Sequence, residues 1–362
     1  KSGFILQAPA IDLYTDNTWQ SQRLNCYQTA DNPLPNWRLA ESNIRYDARL
    51  EQQADWKNSL ELGVWGDHPW NNLVERPIPQ WKDYGVKTLG TMNGRGVVKA
   101  PLPYNAQFTP VIDITDPVGG TLIRIETDHV HGGSDNCIRA EYITRKGRQQ
   151  YESLGWMNGD TLYIRYPQES SLTVHSVAFR ETGYNAEFKG KFHCSDGFIN
   201  RFREKALRTL YVNMRDTYFD CPDRERAQWW GDVTILMGES FYQLSPDANM
   251  LTWKAIRELV NWQRGDSTLF SPIPAQNYNS ELPAQMLASI STYGFWLYYM
   301  HTGDKETMQY VYPAMKRYLG IWELDATGLT KARSGGWSWG DWGSNIDLRL
   351  VLAGWHYMAL QS

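Results

Sequence analysis

Several function classes are excluded by what this sequence has little of. It holds four cysteines, Cys26, Cys137, Cys194 and Cys221, with no C-x-x-C pair, so neither a zinc ribbon nor a disulfide framework is indicated. Basic charge is not in excess: 36 Lys and Arg stand against 40 Asp and Glu, a formal net charge of -4, which leaves no electrostatic footprint for nucleic acid. No apolar run approaches the roughly 20 residues that cross a bilayer. No initiator Met stands before Lys1, and no basic n-region followed by an apolar h-region is visible. Either such a segment was removed or the chain was cut, so export stays open, with periplasmic or secreted placement favoured over cytoplasmic.

What is present is length and aromatic surface. At 362 residues the chain exceeds one ordinary core, so two or three domains are expected. Tryptophan is abundant, 17 residues, which suits either sugar stacking or large packed cores.

The densest stretch runs from Asp220 to Asp232 and reads Asp-Cys-Pro-Asp-Arg-Glu-Arg-Ala-Gln-Trp-Trp-Gly-Asp. Asp220, Asp223, Glu225 and Asp232 share it with Arg224, Arg226, Trp229 and Trp230. A carboxylic acid kept protonated near neutral pH needs apolar desolvation and like charge, and the indoles and the aspartates can supply these. The two arginines oppose this at Glu225, although Asp220 and Asp223 are close enough in sequence to absorb one each. Indoles with carboxylates suggest a carbohydrate ligand. A buried ion-pair network sealing a loop to a helix end fits the composition equally well. Cys221 reads as a small buried hydrophobe rather than a nucleophile.

The pattern Asp-Cys-Pro-x-Arg-Glu-x-x-x-Trp-x-Gly-Asp resembles the signature of the α-L-rhamnosidases of glycoside hydrolase family 78. Residue by residue, the resemblance implies Glu225 as general acid and Asp220, Arg224 and Asp232 as sugar contacts; Trp229 and Trp230 read as further substrate contacts, their faces platforms for a sugar ring. Family members commonly carry Leu-Gly where this chain has Ala227-Gln228. The implied reaction is removal of terminal α-L-rhamnose from a glycoside or polysaccharide by single displacement with inversion, without a cofactor.

The rest of the chain divides by periodicity. Residues 1–90 are rich in Trp, Asn, Pro and Asp, with short strands at Ile5 and at Ile11 to Tyr14. Pro35-Asn36-Trp37 through Arg45-Tyr46-Asp47, and Arg76-Pro77-Ile78-Pro79, resemble the lectin-like insertion of the same family, a module in which a calcium ion is compatible with the resemblance. Residues 91–182 alternate with period two, in runs at Thr121 to Glu126, Ile138 to Thr144, Thr161 to Tyr166 and Leu172 to Phe179. Turns are expected at Gly119-Gly120, Gly132-Gly133 and Asn158-Gly159-Asp160, giving a β-sandwich. His129-Val130-His131 and Asp135 lack a third ligand at suitable spacing and read as a polar hairpin rim rather than a metal site.

Residues 183–362 are helical. Ser195-Asp196 forms an N-cap, Phe198, Phe202, Ala206 and Leu210 share one face, and a helix resumes near Asp232. Further helices are expected at Pro246 to Trp262, Glu281 to His301, Lys305 to Trp322, and Asn345 onward, with Glu281 capping its own. Alternating short and long links suggest an α/α toroid. The fold class expected is thus multidomain β plus α, with N-terminal β-sandwich modules leading into an (α/α)6 toroid of which about the first half is present.

A second constellation, Gly335 to Gly343, sets three indoles on a glycine-rich backbone. It resembles the Trp-Gly-Asp-Trp loop of the same family, which implies Trp339, Asp341 and Trp342 as substrate contacts. A purely structural Trp cluster is the alternative there. Gln276, Asn277 and Tyr278 are further candidates for hydroxyl binding. An inverting glycosidase needs a second carboxylate. In the family it falls in the later half of the toroid, so the base is expected outside this chain. An uncovered toroid face implies self-association as a homo-oligomer. A non-catalytic carbohydrate-binding protein, or a toroid glycosidase with a different sugar preference, are the alternative functions.

Overall fold

The computed structural model describes residues 3–31, 43–51, 55–68, 71, 73–129, 138–274, 280–333, 338 and 344–362. They form a mixed β plus α architecture with two hydrophobic cores. One lies within a sheet. The other lies among helices α1 (Gly197–Val212), α2 (Trp230–Gln243), α3 (Asn249–Asn261), α4 (Pro283–Ser289), α5 (Phe295–Thr302), α6 (Lys305–Leu319) and α7 (Leu348–Gln361).

The sheet runs in the order Tyr27–Thr29, Ile44–Asp47, Arg139–Ile143, Leu122–Thr127, Met157–Arg165, Val97–Asp116, Thr173–Gly183, Lys82–Thr88. Gly147–Glu152 and Met92–Gly94 pair separately with Val97–Asp116. Three of these strands come from the first ninety residues, so that segment contributes to the main sheet rather than standing apart from it. Val97–Asp116 organises the whole: alternate residues Val98, Ala100 and Leu102 turn inward, and Phe108, Ile112 and Ile114 continue the core. Its prolines hide it from strand patterning, because Pro removes a ladder donor. Here Pro101 faces Thr161 and Pro110 faces Phe179.

Two expected turns came out differently. Gly119 and Gly120 turn the chain at φ of 86° and 85°. Asn158-Gly159-Asp160 instead lies inside the strand Met157–Arg165, at an irregularity between Gly159 and Thr161. A Cβ on Gly159 would stand 2.5 Å from the Thr127 Cβ, so glycine there serves close strand approach, not reversal. Gly132-Gly133 lies outside the described residues, as do Pro35 to Trp37 of the lectin-like resemblance.

Among the helices, α1 starts as expected, with Asp196 accepting from the Phe198 N-H at 2.7 Å. Its face is only half used: Leu210 is buried, but Phe198 and Phe202 are 63% and 61% exposed and stack on each other. The single helix expected from Glu281 to His301 is two, α4 and α5. In the break between them, at Gly294, the backbone passes so close to the Ser289 carbonyl that a Cβ would fall 1.6 Å from its oxygen, so only glycine fits there. Glu281 does not cap α4, whose N-cap residue Leu282 makes no side-chain cap bond. Glu281 instead pairs with Arg333 at 2.9 Å and accepts from Tyr318 at 3.3 Å.

Sheet and helices are joined where α1 ends. Gln107 donates from Nε2 to the Val212 and Met214 carbonyls at 2.6 and 3.2 Å, and its Oε1 accepts from Arg215 at 2.7 Å. The Tyr211 hydroxyl donates to the Tyr184 carbonyl at 2.7 Å, close against Gly183, where any Cβ would meet the tyrosine ring. Replacing Gln107 with Ala leaves these buried polar groups without their partner. The variant is expected to lose about 1–3 kcal/mol of stability, read as a lowered midpoint in chemical unfolding.

Candidate active site

Beyond α1 the chain is pinned to the sheet before the carboxylate-rich stretch begins. The Arg215 guanidinium carbon lies 3.7 Å from the Trp81 ring centre and 4.7 Å from that of Trp156. Phe219 stacks on Trp156 at 5.9 Å and 20°. Asp220 therefore leaves a braced segment.

From Asp220 to Ala227 the backbone closes on itself. The Asp220 N-H donates to the Ala227 carbonyl at 3.0 Å, and the Ala227 N-H donates to Asp220 Oδ1 at 3.1 Å. The closure turns on Arg226, whose φ of 48° lies in the left-handed region that non-glycine residues avoid. Its side chain holds it there. Nε donates to the Pro222 carbonyl at 2.8 Å, Nη2 to the Trp156 carbonyl at 3.0 Å, and the guanidinium lies 3.4 Å from the Trp156 ring centre. The expectation that Asp220 and Asp223 would absorb the two arginines is corrected: Arg226 serves carbonyls and an indole, and Arg224 pairs with Glu225 itself.

Glu225 and Arg226 are consecutive, yet their side chains have different surroundings. Glu225 is 6% exposed; Trp229 Nε1 donates to its Oε2 at 2.7 Å, and Arg224 Nη2 stands 2.6 Å from its Oε1. Trp229 thus meets Glu225 through its N-H, not only through apolar surface. Trp230 is fully buried and packs edge-on against Phe295 at 5.7 Å, so it presents no face to a sugar. Its backbone N-H reaches Ser271 Oγ at 3.1 Å and Gln285 Oε1 at 3.2 Å, which fixes the start of α2. Asp232 sits in the first turn of that helix, where the dipole favours a carboxylate.

Asp220 is the electrostatically unusual member. Burial, reinforced by the negative charges of Glu225 and Asp232, pushes its carboxyl up to about 7, against the Cys221 thiol donating at 2.9 Å and the Ala227 N-H. Burial and the Asp220 charge push the Cys221 thiol up to about 12, so it stays protonated and a poor nucleophile.

Trp339, Asp341 and Trp342 lie outside the described residues, as do Gln276, Asn277 and Tyr278. One described residue of the second constellation, Ser338, accepts from the Ala284 N-H at 3.3 Å. Ala284 precedes Gln285, which holds the Trp230 N-H, so Ser338 is anchored one residue from a direct support of the carboxylate loop. A cavity of about 660 Å³, lined among others by Trp81, Trp156, Phe219, Arg215 and Arg226, occupies the sheet side of that loop. Neither Glu225 nor Asp220 lines it.

For a metal, Asp128, His129 and Asp160 are the grouped ligand atoms among the described residues, all within 4.8 Å of one another. His131 and Asp135 are outside them. His129 Nδ1 is 2.8 Å from Asp223 and Nε2 is 3.3 Å from Asp160. The Asp223 hydrogen bond, outweighing burial, pushes His129 up to about 9. Both ring nitrogens stand beside carboxylates, surroundings that suit the ring as a cation. Neither Asp223 as the partner of His129 nor Trp156 as the support of Arg226 was marked in the sequence, because both contacts join segments about seventy or more residues apart.

Residues 187–350 match the family model described as the bacterial alpha-L-rhamnosidase 6 hairpin glycosidase domain. No curated protein matches. Three solved structures are similar in fold. A family 78 rhamnosidase of Bacillus sp. GL1 shares 20% identity at a TM-score of 0.61, covering 75% of this chain and 31% of that one. A rhamnosidase from Klebsiella oxytoca with rhamnose bound shares 13% at 0.62, covering 75% and 57%. A Streptomyces avermitilis alpha-L-rhamnosidase complexed with L-rhamnose shares 17% at 0.66, covering 88% and 32%. The chain therefore spans 31% to 57% of the length of these structures. No helix among the described residues is long and apolar enough to cross a membrane.

The Asp220 carboxyl gives a pH signature. Its folded value of about 7 lies above its ordinary 3.8, so between these values the folded state holds a proton that the unfolded chain has released. Stability from this group is expected to fall as pH rises from about 4 to about 7. Asp220→Asn should flatten that slope in unfolding free energies measured across this range, and an unchanged slope would place the perturbation elsewhere.

Proposed function

We propose, from the match of residues 187–350 to the model of the bacterial alpha-L-rhamnosidase 6 hairpin glycosidase domain, that the protein hydrolyses terminal α-L-rhamnosides with Glu225 as general acid. The observation that carries the reading is Glu225 itself: a 6% exposed carboxyl, aimed by the Trp229 N-H and bounded by Arg224, at the position the family signature assigns to the acid.

In this reading Asp220, Arg224 and Asp232 bind the ring hydroxyls. The Arg224 side chain is 49% exposed. When sugar hydroxyls engage it, the guanidinium withdraws from Glu225 Oε1, the freed oxygen takes up a proton from solvent, and the carboxyl gives that proton to the departing glycosidic oxygen. Oε2 stays fixed by Trp229, so the proton is delivered from Oε1. Asp220, half-ionised near neutral pH, accepts from a sugar hydroxyl when charged and donates to one when neutral. Trp339, Asp341 and Trp342 complete the pocket wall by family resemblance. Trp230 is assigned a structural role, holding α2 against α5.

Inversion requires a second carboxylate some 6.5–9.5 Å from the acid to activate water. We assign that role to no residue of this chain. The two-core arrangement supports a division near residue 183, with a sandwich-like unit before it and toroid helices after it. The whole protein's substrate is inferred to be a rhamnose-capped glycoside or polysaccharide.

Glu225→Gln is expected to lower kcat for an alkyl α-L-rhamnoside by roughly 10²–10⁴-fold, the usual worth of a positioned acid. Proton NMR of the first-formed sugar in the parent should show the anomer opposite to that of the substrate. Binding of rhamnose without any turnover by the full-length protein would instead support a non-catalytic sugar-binding role.

A further inference from the structure

The carboxylate loop has a second tether, and it comes from the sheet. His129 follows the strand Leu122–Thr127. The neighbouring Asp128 Oδ1 accepts the N-H groups of Asp160 and Thr161, both at 2.9 Å, which locks this edge to the strand Met157–Arg165. From that edge the ring places Nδ1 2.8 Å from Asp223 Oδ2, with only 27% and 24% of the two side chains exposed. Asp223 belongs to the turn 222–225 that ends at Glu225. It stands where the signature leaves its residue unspecified, so the contact belongs to this chain's own architecture.

We propose that His129 is a positioning residue for the reaction: as an imidazolium it clamps Asp223, and through the turn 222–225 it sets Arg224 and Glu225 against Trp229. This rests on the reading of Glu225 as the acid. The charged groups facing His129 among the described residues are Asp223 from the turn, Asp128 from its own segment and Asp160 from the adjacent strand. All three are acidic, and together they keep the ring charged through neutral pH. Asn105, 3.5 Å from Nε2, adds a neutral contact. Because the folded value of about 9 lies above the ordinary 6.5, the clamp is intact at neutral pH and is lost as pH rises through about 9. A loop displaced by about 1 Å at a catalytic group can cost up to a hundredfold in rate, so loss of the clamp is expected to act on turnover rather than on substrate affinity.

The test uses the full-length protein and the variants His129→Gln, Asp223→Asn, the double variant and His129→Lys. NMR titration of the His129 ring is expected to give a value near 9 in the parent, falling toward 6.5 in Asp223→Asn. With an alkyl α-L-rhamnoside at pH 7, whose leaving group needs protonation, kcat should fall about tenfold in each of His129→Gln and Asp223→Asn, while KM changes less than about twofold. The double variant should be no worse than the poorer single one, and His129→Lys, which keeps the cation, should regain part of the rate. The parent's loss of kcat above about pH 9 should vanish from both neutral variants. An ordinary His129 titration, kcat within twofold of the parent, fully additive losses, or a rate that responds to a chelator would each overturn the proposal. A readout independent of turnover separates this from failure of the glycosidase reading: the Trp229 indole N-H resonance reports its bond to Glu225. It should shift in His129→Gln and Asp223→Asn even if no rhamnoside is cleaved, and an unmoved resonance overturns the clamp.

Discussion

The structure depends on burying one carboxylate, that of Glu225, without leaving it unpartnered. Taking an ionisable group out of water costs several kcal/mol unless donors replace the lost hydration. Here the donors come from within four residues: Trp229 on Oε2 and Arg224 on Oε1. Presenting two near neighbours to one carboxylate requires a tight loop, and the loop exists only because Arg226 is held in a left-handed backbone conformation. That strain is offset by the Trp156 ring and two carbonyl acceptors. The sheet thus acts on the site through Trp156, and the carboxylate geometry is as much a property of the sheet as of the helices.

Four acidic residues in one short stretch take four environments. Glu225 is aimed by an indole N-H. Asp220, enclosed beside two other carboxylates, keeps its proton to about 7. Asp232 rests at the positive end of α2. Asp223 is balanced by a histidine just past the end of an interior strand of the sheet. Similar groups in unlike surroundings would let one cluster both donate protons and grip hydroxyls, as the proposed function requires. The arginines divide similarly: Arg224 remains near the surface and able to exchange partners, while Arg226 and Arg215 are locked against tryptophans as structural cations.

Much of this was legible in the sequence where the signal was local. The cap at Asp196, the helix carrying Asp232 in its first turn and the Gly119-Gly120 reversal follow from short-range chemistry, and they stand as read. The signature stretch announced itself by composition and matches the family model found over residues 187–350. What escaped depended on distance. Val97–Asp116 was masked by prolines that its neighbours tolerate. Gly159 looked like a turn but answers to Thr127 on another strand. The helix break near Gly294 accompanies a close backbone approach to Ser289 that only glycine permits, and Glu281 resembled a cap until Arg333, 52 residues on, claimed it. Trp230 read as a sugar platform because its neighbour is at the site, yet helical geometry turned it into the core.

The central claim is that Glu225 gives its proton to the departing oxygen, and leaving-group dependence tests this most directly. In the Glu225→Gln variant of the full-length protein, kcat/KM should remain near the parental value for aryl rhamnosides whose phenol leaves readily as an anion. It should collapse as the leaving group becomes more basic, because only those substrates need protonation. A uniform loss across the series, or none, would contradict the assignment of Glu225 as the acid.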